Sequence, residues 1–383
     1  MRVCILTPAF PAPRRPYHGI FVKQDAKALV EEGIQVTVIA PRFRGDPSEK
    51  THDGIRILRF HWWAPRRFKP IVQLRRRDAW RLPSLLYGMY VLGSREAKTS
   101  DVILAYWILP SGFVGTLIKL RRKRRLIVYA MGTDIHILPK HPIYGLLVRY
   151  TTKRADMVLL NLPGMQQYVS RYRLQGRFKV LPAAINPELF RPAESPLREQ
   201  KPLSNRFIIL FVGNLIPEKG VLDLIEVFRQ FRERHENAVL LIAGRGPLAG
   251  KVRKEESVVY VGPVEHNLIP DYLNAADVVV IPSHAEGPSN VILLEALACA
   301  RPVIATDIHL RFLPHDVLEG SVLLVPEKDP KALLNALEQL YSNPDLRTRL
   351  ASCARERILM FNASTRKQQL LSVLENVFDS SGR

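Results

Sequence analysis

"FIILFVGNLIPEKGVLDLIEVFRQFRERH", residues 207–235, carries the pattern that decides the fold. An unbroken apolar run from Phe207 stops at Gly213 and reads as a buried strand. A turn through Pro217 and Gly220 follows. From Val221 the apolar residues recur at helical spacing as far as His235. Downstream, "AVLLIAG", "SVVYVGP", "DVVVIPS", "PVIAT" and "SVLLVP" read as further strands, and "IPDYLNAA" and "VILLEALACA" as helices. Apolar strands alternating with helices predict a parallel sheet covered on both faces, a doubly wound α/β domain.

The same alternation fills the chain upstream. "RVCILTPAF", "IQVTVIAP", "DVILAYW", "RRLIVYA" and "DMVLLN" read as strands, with "FVKQDAKALVEEG" a helix ending at Gly33. Between the two halves, "LPAAINPELFRPAESPLREQKPLSN", residues 181–205, holds five prolines and no periodicity, which marks a linker. The expected organisation is a Rossmann-like domain over 1–185, a linker over 186–205, a second Rossmann-like domain over 206–360 and a terminal helix in 361–383. Two such domains predict a cleft at the carboxyl ends of their strands.

Charge separates the halves. The 383 residues carry a formal +20; residues 1–190 hold 33 Lys+Arg against 12 Asp+Glu, whereas residues 191–383 hold 23 against 24. The first half is therefore expected to meet something anionic. Its densest stretch sets Trp62, Trp63 and Trp80 among Arg66, Arg67, Lys69, Arg75, Arg76 and Arg77. Interleaved Trp and Arg suit an anionic membrane interface. A solvated basic face and a polyanion-binding face are the alternatives, but no nucleic-acid motif accompanies the charge. "RRKRR", 121–125, reads either as a binding cluster or as cations at a helix C-terminus. Residues 102–118 are uncharged, but Pro110-Ser111-Gly112 splits them into a strand and a helix from about 112 to 120 rather than a membrane span. Cys4, Cys299 and Cys353 have no framework spacing and read as reduced packing residues. With no leader pattern at its start, the chain is expected in the cytoplasm, peripheral to the membrane.

Several segments point to an anionic ligand. Gly213 and Asn214 close a strand, and Lys219-Gly220 opens a helix, so a cation and free amides face one spot. "LLIAGRGPL", 240–248, turns on glycines beside it. In "AEGPSNVILLEALACARPVIAT", 285–306, Ser289 or Asn290 would cap a buried helix whose amides, Val291 included, also suit an anion. Glu286 and Glu295 flank that start. A carboxylate inside an apolar helix needs a protein partner or a ligand, so Glu295 either pairs internally or accepts from a diol.

In order and wording, "PYHGIFVKQDAKALVEEGIQVTVIAP", "GNLIPEKGVLDLIEVF", "LIAGRGPL", "YVGPVEHNLIPDYLNAADVVVIPS" and "EGPSNVILLEALACARPVIAT" resemble glycosyltransferase family 4, retaining enzymes of the GT-B fold. The resemblance covers nearly the whole chain. It implies two Rossmann-like domains facing across a cleft, with a final helix that crosses back to the first. It implies a nucleoside diphosphate sugar as donor, a membrane-associated or lipid-linked glycan as acceptor, and no cofactor or bound metal. Gly19, Gly213, Asn214, Lys219, Gly287, Ser289, Asn290 and Val291 would line the donor diphosphate and sugar. Glu286 would be the catalytic carboxylate beside the transferred sugar, and Glu295 would hold the ribose. Asp134 and His136 would lie on the acceptor side or serve structure alone. The chain departs from the family at four places. Eight residues separate the two glutamates where seven are usual, which would turn Glu295 by about 100°. Asn214 stands where Arg is common. Met131 and Ala300 replace a usual His and Gly. A non-catalytic nucleotide-sugar-binding subunit is the alternative reading.

Overall fold

The computed structural model describes residues 1–13, 15, 18–64, 80–182, 185–284, 291–311, 313, 315–358, 361 and 363–379. It divides into two compact units, Met1–Pro182 with Arg366–Arg383, and Ala183–Thr365. The stretch holding Arg66, Arg67, Lys69 and Arg75 to Arg77 lies outside the described residues.

The first unit is built on β1 (Arg2–Leu6), β2 (Gln35–Pro41), β3 (Glu49–His52), β4 (Ile55–Phe60), β5 (Val102–Tyr106), β6 (Arg125–Ala130), β7 (Met157–Leu160) and β8 (Phe178–Val180). Their order across the sheet is β3-β4-β2-β1-β5-β6-β7-β8. All pairs are parallel except β3 with β4. The central strands β1 and β5 are apolar at every position after Arg2 because both faces are covered. On one side Val3, Ile5, Leu104 and Tyr106 pack with Val22, Ala26 and Leu29 of helix Ile20–Glu31 and with Val373 and Leu374 of helix Ala363–Asp379. On the other, Gly93 of helix Leu82–Glu96 closes against Leu6 and Ile118, and Gly115 of helix Phe113–Arg122 against Ala105 and Leu126. The uncharged stretch 102–118 is thus strand β5, a bend and a helix. Among the described residues no helix is long and apolar enough to cross a membrane.

The C-terminal helix is tied to the first unit by a buried polar cluster. The Arg366 guanidinium donates to both carboxylate oxygens of Asp25, at 3.0 and 2.6 Å. It also donates to the Tyr129 hydroxyl at 2.9 Å and to the carbonyls of Leu181 and Pro182. Tyr106 donates its hydroxyl proton to Asp25 at 2.5 Å. Every polar atom here has a partner, the condition under which a buried ion pair is tolerated.

The second unit holds β9 (Phe207–Asn214), β10 (Ala238–Arg245), β11 (Val258–Gly262), β12 (Val278–Ile281), β13 (Val303–Thr306) and β14 (Val322–Val325). They form one parallel sheet in the order β11-β10-β9-β12-β13-β14. Counted along the chain this is 3-2-1-4-5-6, the strand order of dinucleotide-binding sheets, whose direction of winding reverses between β9 and β12. Phe228 and Phe231 of helix Val221–Arg232 pack against Leu240 and, from helix Pro330–Ser342, Leu337. Asp329 caps that second helix by accepting from the Ala332 amide at 2.9 Å.

An aspartate directly before several strands has one local cause in both units. Asp101, Asp156 and Asp277 accept from the amides of Arg2, Leu126 and Ile208 at 2.7 Å each, pinning the start of the neighbouring strand. The cysteines are free; burial pushes the Cys4 and Cys299 thiols up to about 12, so neither is a ready nucleophile.

Candidate functional site

In an open parallel sheet, ligands bind beyond the carboxyl ends of the strands where the winding reverses. In the second unit that point joins the loops after β9 and β12. Gly213 and Asn214 end β9, with Asn214 exposed. One helical turn, Pro217–Lys219, leads to Gly220, which caps helix Val221–Arg232 with φ of 66°. A Cβ on Gly220 would stand 1.9 Å from the Pro282 carbonyl oxygen, so only glycine lets the two loops meet. The His284 amide donates to the Glu218 carbonyl at 2.8 Å, and Thr306, ending β13, donates to the Ser283 carbonyl at 2.7 Å. His284 also contacts Asp223 in the first turn of the helix. Three strand ends are thereby fixed around Lys219.

His309, just past β13, is buried. Burial, with the charge of Lys219, lowers its pKa to about 3, so the ring is neutral and Lys219 supplies the positive charge there. The sequence reading missed His309. Its position just beyond a strand end was the available signal.

Glu295 lies on helix Val291–Ala298 and is 4% exposed. Its Oε1 is 2.6 Å from Nε2 of His266, which stands beyond β11 with its ring 5.2 Å from that of Phe190. The carboxylate in the apolar helix therefore has a protein partner, and sequence reasoning missed it. Burial raises the pKa of Glu295, and the hydrogen bond to Glu295 raises that of His266. Both shifts have one sign. A group whose folded-state pKa exceeds its unfolded value stabilises fully below the unfolded value, and that contribution is lost as pH rises through the folded one. For His266 the window opens above its ordinary value. Relative to Glu295→Gln, the wild-type stability advantage should shrink as urea unfolding is moved from about pH 6 to about pH 9. An advantage that grows with pH would show that the pair does not hold its proton this way.

Glu286, Gly287, Ser289 and Asn290 lie outside the described residues; Val291, the first residue of the helix, is exposed.

The first unit holds the other three candidates. Gly19 caps helix Ile20–Glu31 with φ of 76°, and a Cβ there would meet the Ala9 carbonyl oxygen at 2.3 Å. Close packing of its own loop thus accounts for this glycine. Asp134 is buried; its carboxylate accepts from the amides of Ile108 at 2.6 Å and Met131 at 3.0 Å. It thereby ties the loop after β6 to the loop after β5. Burial raises its pKa to about 6 against the opposing pull of those amides. His136, two residues on, sets Nδ1 3.1 Å from the Gly132 carbonyl, and burial lowers its pKa. Among the described residues no three His, Cys, Asp or Glu side chains gather as a metal site.

Two doubly wound units, the second with the nucleotide-type strand order and a lysine at its reversal point, give the chain the GT-B fold of nucleotide-sugar-dependent transferases. Comparison with known proteins agrees. The family described as Glycosyl transferase 4-like domain matches residues 18–184, and that described as Glycosyl transferases group 1 matches residues 206–343. The chain belongs to the family 4 type of glycosyltransferases and is an enzyme of that class. It is 27% identical over 335 residues to the putative teichuronic acid biosynthesis glycosyltransferase TuaC of Bacillus subtilis (strain 168), covering 80% of this chain and 81% of that one. Its fold is similar to sucrose-phosphate synthase from Thermosynechococcus elongatus, with a TM-score of 0.82 at 23% identity over 99% of this chain and 100% of that one. It is likewise similar to Anabaena HepE in complex with UDP-glucose, with a TM-score of 0.74 at 18% identity over 98% and 100%.

Proposed function

We propose that the protein is a retaining hexosyltransferase that moves a sugar from a nucleoside diphosphate sugar to a lipid-linked or membrane-associated glycan, at the cytoplasmic face of an anionic membrane. The observation that carries the donor assignment is the placement of Lys219 and the start of helix Val221–Arg232 at the β9/β12 reversal point. The UDP-glucose held by the HepE fold supports it. In this reading Lys219 and the helix amides carry the charge of the departing diphosphate, so no metal is required. Glu295, held by His266, accepts from the ribose, and Glu286 orients the transferred sugar. The acceptor hydroxyl attacks from the side that the diphosphate leaves. Its proton passes to a diphosphate oxygen as the new glycosidic bond forms, so the anomeric configuration is kept. TuaC's described part in teichuronic acid biosynthesis supports a glycan acceptor.

Lys219→Ala tests the donor site. A charge-assisted hydrogen bond contributes about 1.5–3 kcal/mol. Calorimetric affinity for UDP and for UDP-glucose should therefore fall together, by about ten- to a hundred-fold. Unchanged affinity for UDP would reject the assignment. The anomer released in a turnover followed by NMR reads the stereochemistry directly.

A further inference from the structure

The helices Leu82–Glu96, Phe113–Arg122 and Pro142–Arg154 lie side by side on one face of the first unit's sheet. Their outer surface is not that of a solvated helix layer. On the first helix, Pro83, Tyr87 and Val91 point outward at four-residue intervals, with Trp80 just before them. Trp80 is 56% exposed, Tyr87 71% and Val91 48%. The second helix presents Leu117 and Leu120, and the third Ile143 and Leu146, the last two 64% and 67% exposed. A surface helix ordinarily turns a polar stripe outward. Here three neighbouring helices each turn apolar residues outward, and contiguous exposure of this kind marks an interaction site.

The charge on the same face has one sign. The three helices contain a single carboxylate, Glu96, which is buried and bonded to Arg56 at 3.0 Å. Their C-terminal ends meet. Arg122 donates to the Ser94 hydroxyl, Arg124 to the carbonyls of Ala97 and Lys98, and Lys119 to the carbonyl of Arg154. Those contacts spend part of the "RRKRR" cluster on structure. Arg95, Lys98, Arg121, Lys123, Arg149 and Lys153 remain exposed around the joined ends. Indole rings stand at the opposite border, with Trp63 and Trp80 5.6 Å apart and the Arg81 guanidinium 4.3 Å over Trp80.

We propose that this three-helix face docks on a bilayer of anionic lipid, with Tyr87, Val91, Ile143 and Leu146 entering the interface and the cations meeting the headgroups. The proposal rests on the membrane reading above and names the surface that performs it. A layer of apolar side chains flanked by unneutralised cations matches an acidic lipid surface in both respects. It does not match a second copy of itself, because pairing the face would bring like charges together.

Co-sedimentation with vesicles tests it on the full chain. Wild-type protein should bind phosphatidylcholine vesicles containing about 30 mol% phosphatidylglycerol, not vesicles of phosphatidylcholine alone, and should come off in about 0.5 M salt. Tyr87→Ser, Val91→Ser and Leu146→Ser together change only outward side chains. The triple variant should lower binding to the acidic vesicles by at least about tenfold. Its UDP affinity should equal that of the wild type, which shows that it is folded. A triple variant that binds acidic vesicles as well as the wild type overturns the proposal. So does a wild type that binds neither vesicle and instead dimerises through residues the triple variant removes. Loss of vesicle binding with donor affinity intact supports the face whatever the acceptor is. Vesicle binding without any UDP affinity in the wild type would overturn the donor reading alone.

Discussion

Arg366→Ala should destabilise the first unit by about 3–5 kcal/mol, the cost of leaving one half of a buried ion pair behind. The guanidinium is enclosed, and its removal leaves the buried Asp25 carboxylate without a counter-ion, held only by the Tyr106 hydroxyl, and takes a donor from the Tyr129 hydroxyl and from the carbonyls of Leu181 and Pro182. Asp25 is itself buried, so its carboxylate is left away from bulk water. The readout is convenient. All four tryptophans, Trp62, Trp63, Trp80 and Trp107, belong to the first unit, so urea unfolding followed by their fluorescence reports on it alone. Removing the second charge as well, with Asp25→Asn and Arg366→Met, should restore a substantial part of the loss, since two neutral groups leave no isolated charge. A double variant less stable than Arg366→Ala would show that packing, not charge, dominates the cluster.

Gly220→Ala should cost at least about 2 kcal/mol in the second unit. Left-handed backbone strains a residue with a Cβ by about 1–2 kcal/mol. The collision with the Pro282 carbonyl, backbone against backbone, adds to it. Circular dichroism should show earlier melting of the second unit while the tryptophan signal of the first stays in place. UDP affinity should fall too, because the loops after β9 and β12 can no longer meet. Gly250→Ala is the control. Outside its own helical turn nothing lies within 4 Å of its added methyl, so stability should be unchanged or slightly raised. Equal effects of the two substitutions would mean that the close approach at Gly220 is not needed.

The sheets were legible because their strands are apolar at nearly every position. "RVCIL", "VILAY", "VVVI" and "VIAT" could hardly be anything but covered on both faces. Strand β3, "EKTH", was not legible. It is exposed along its length at the sheet edge and carries no apolar residue to betray it. The turn after it, Asp53-Gly54, takes positive φ at both residues and was the overlooked hairpin signal. At the site, Lys219 and Gly220 could be placed from sequence because a strand end and a helix start fix them locally. His266 could not. Its contact with Glu295 spans 29 residues and depends on how the helices after β11 and β12 pack, which no local pattern encodes. The same limit applies to Arg366, whose partner Asp25 is 341 residues away.

The return of the chain to the first unit has a consequence for synthesis. The eight described strands are complete at Val180, yet the guanidinium that neutralises the cluster beneath them arrives only with Arg366. In the order in which a ribosome delivers the chain, the whole second unit, 183 residues, emerges while Asp25 still lacks its counter-ion. The unit begun first is finished last. A fragment ending near residue 182 would therefore keep a sheet but lose its closing bond, and an expression trial should cut the chain beyond the C-terminal helix rather than between the two units.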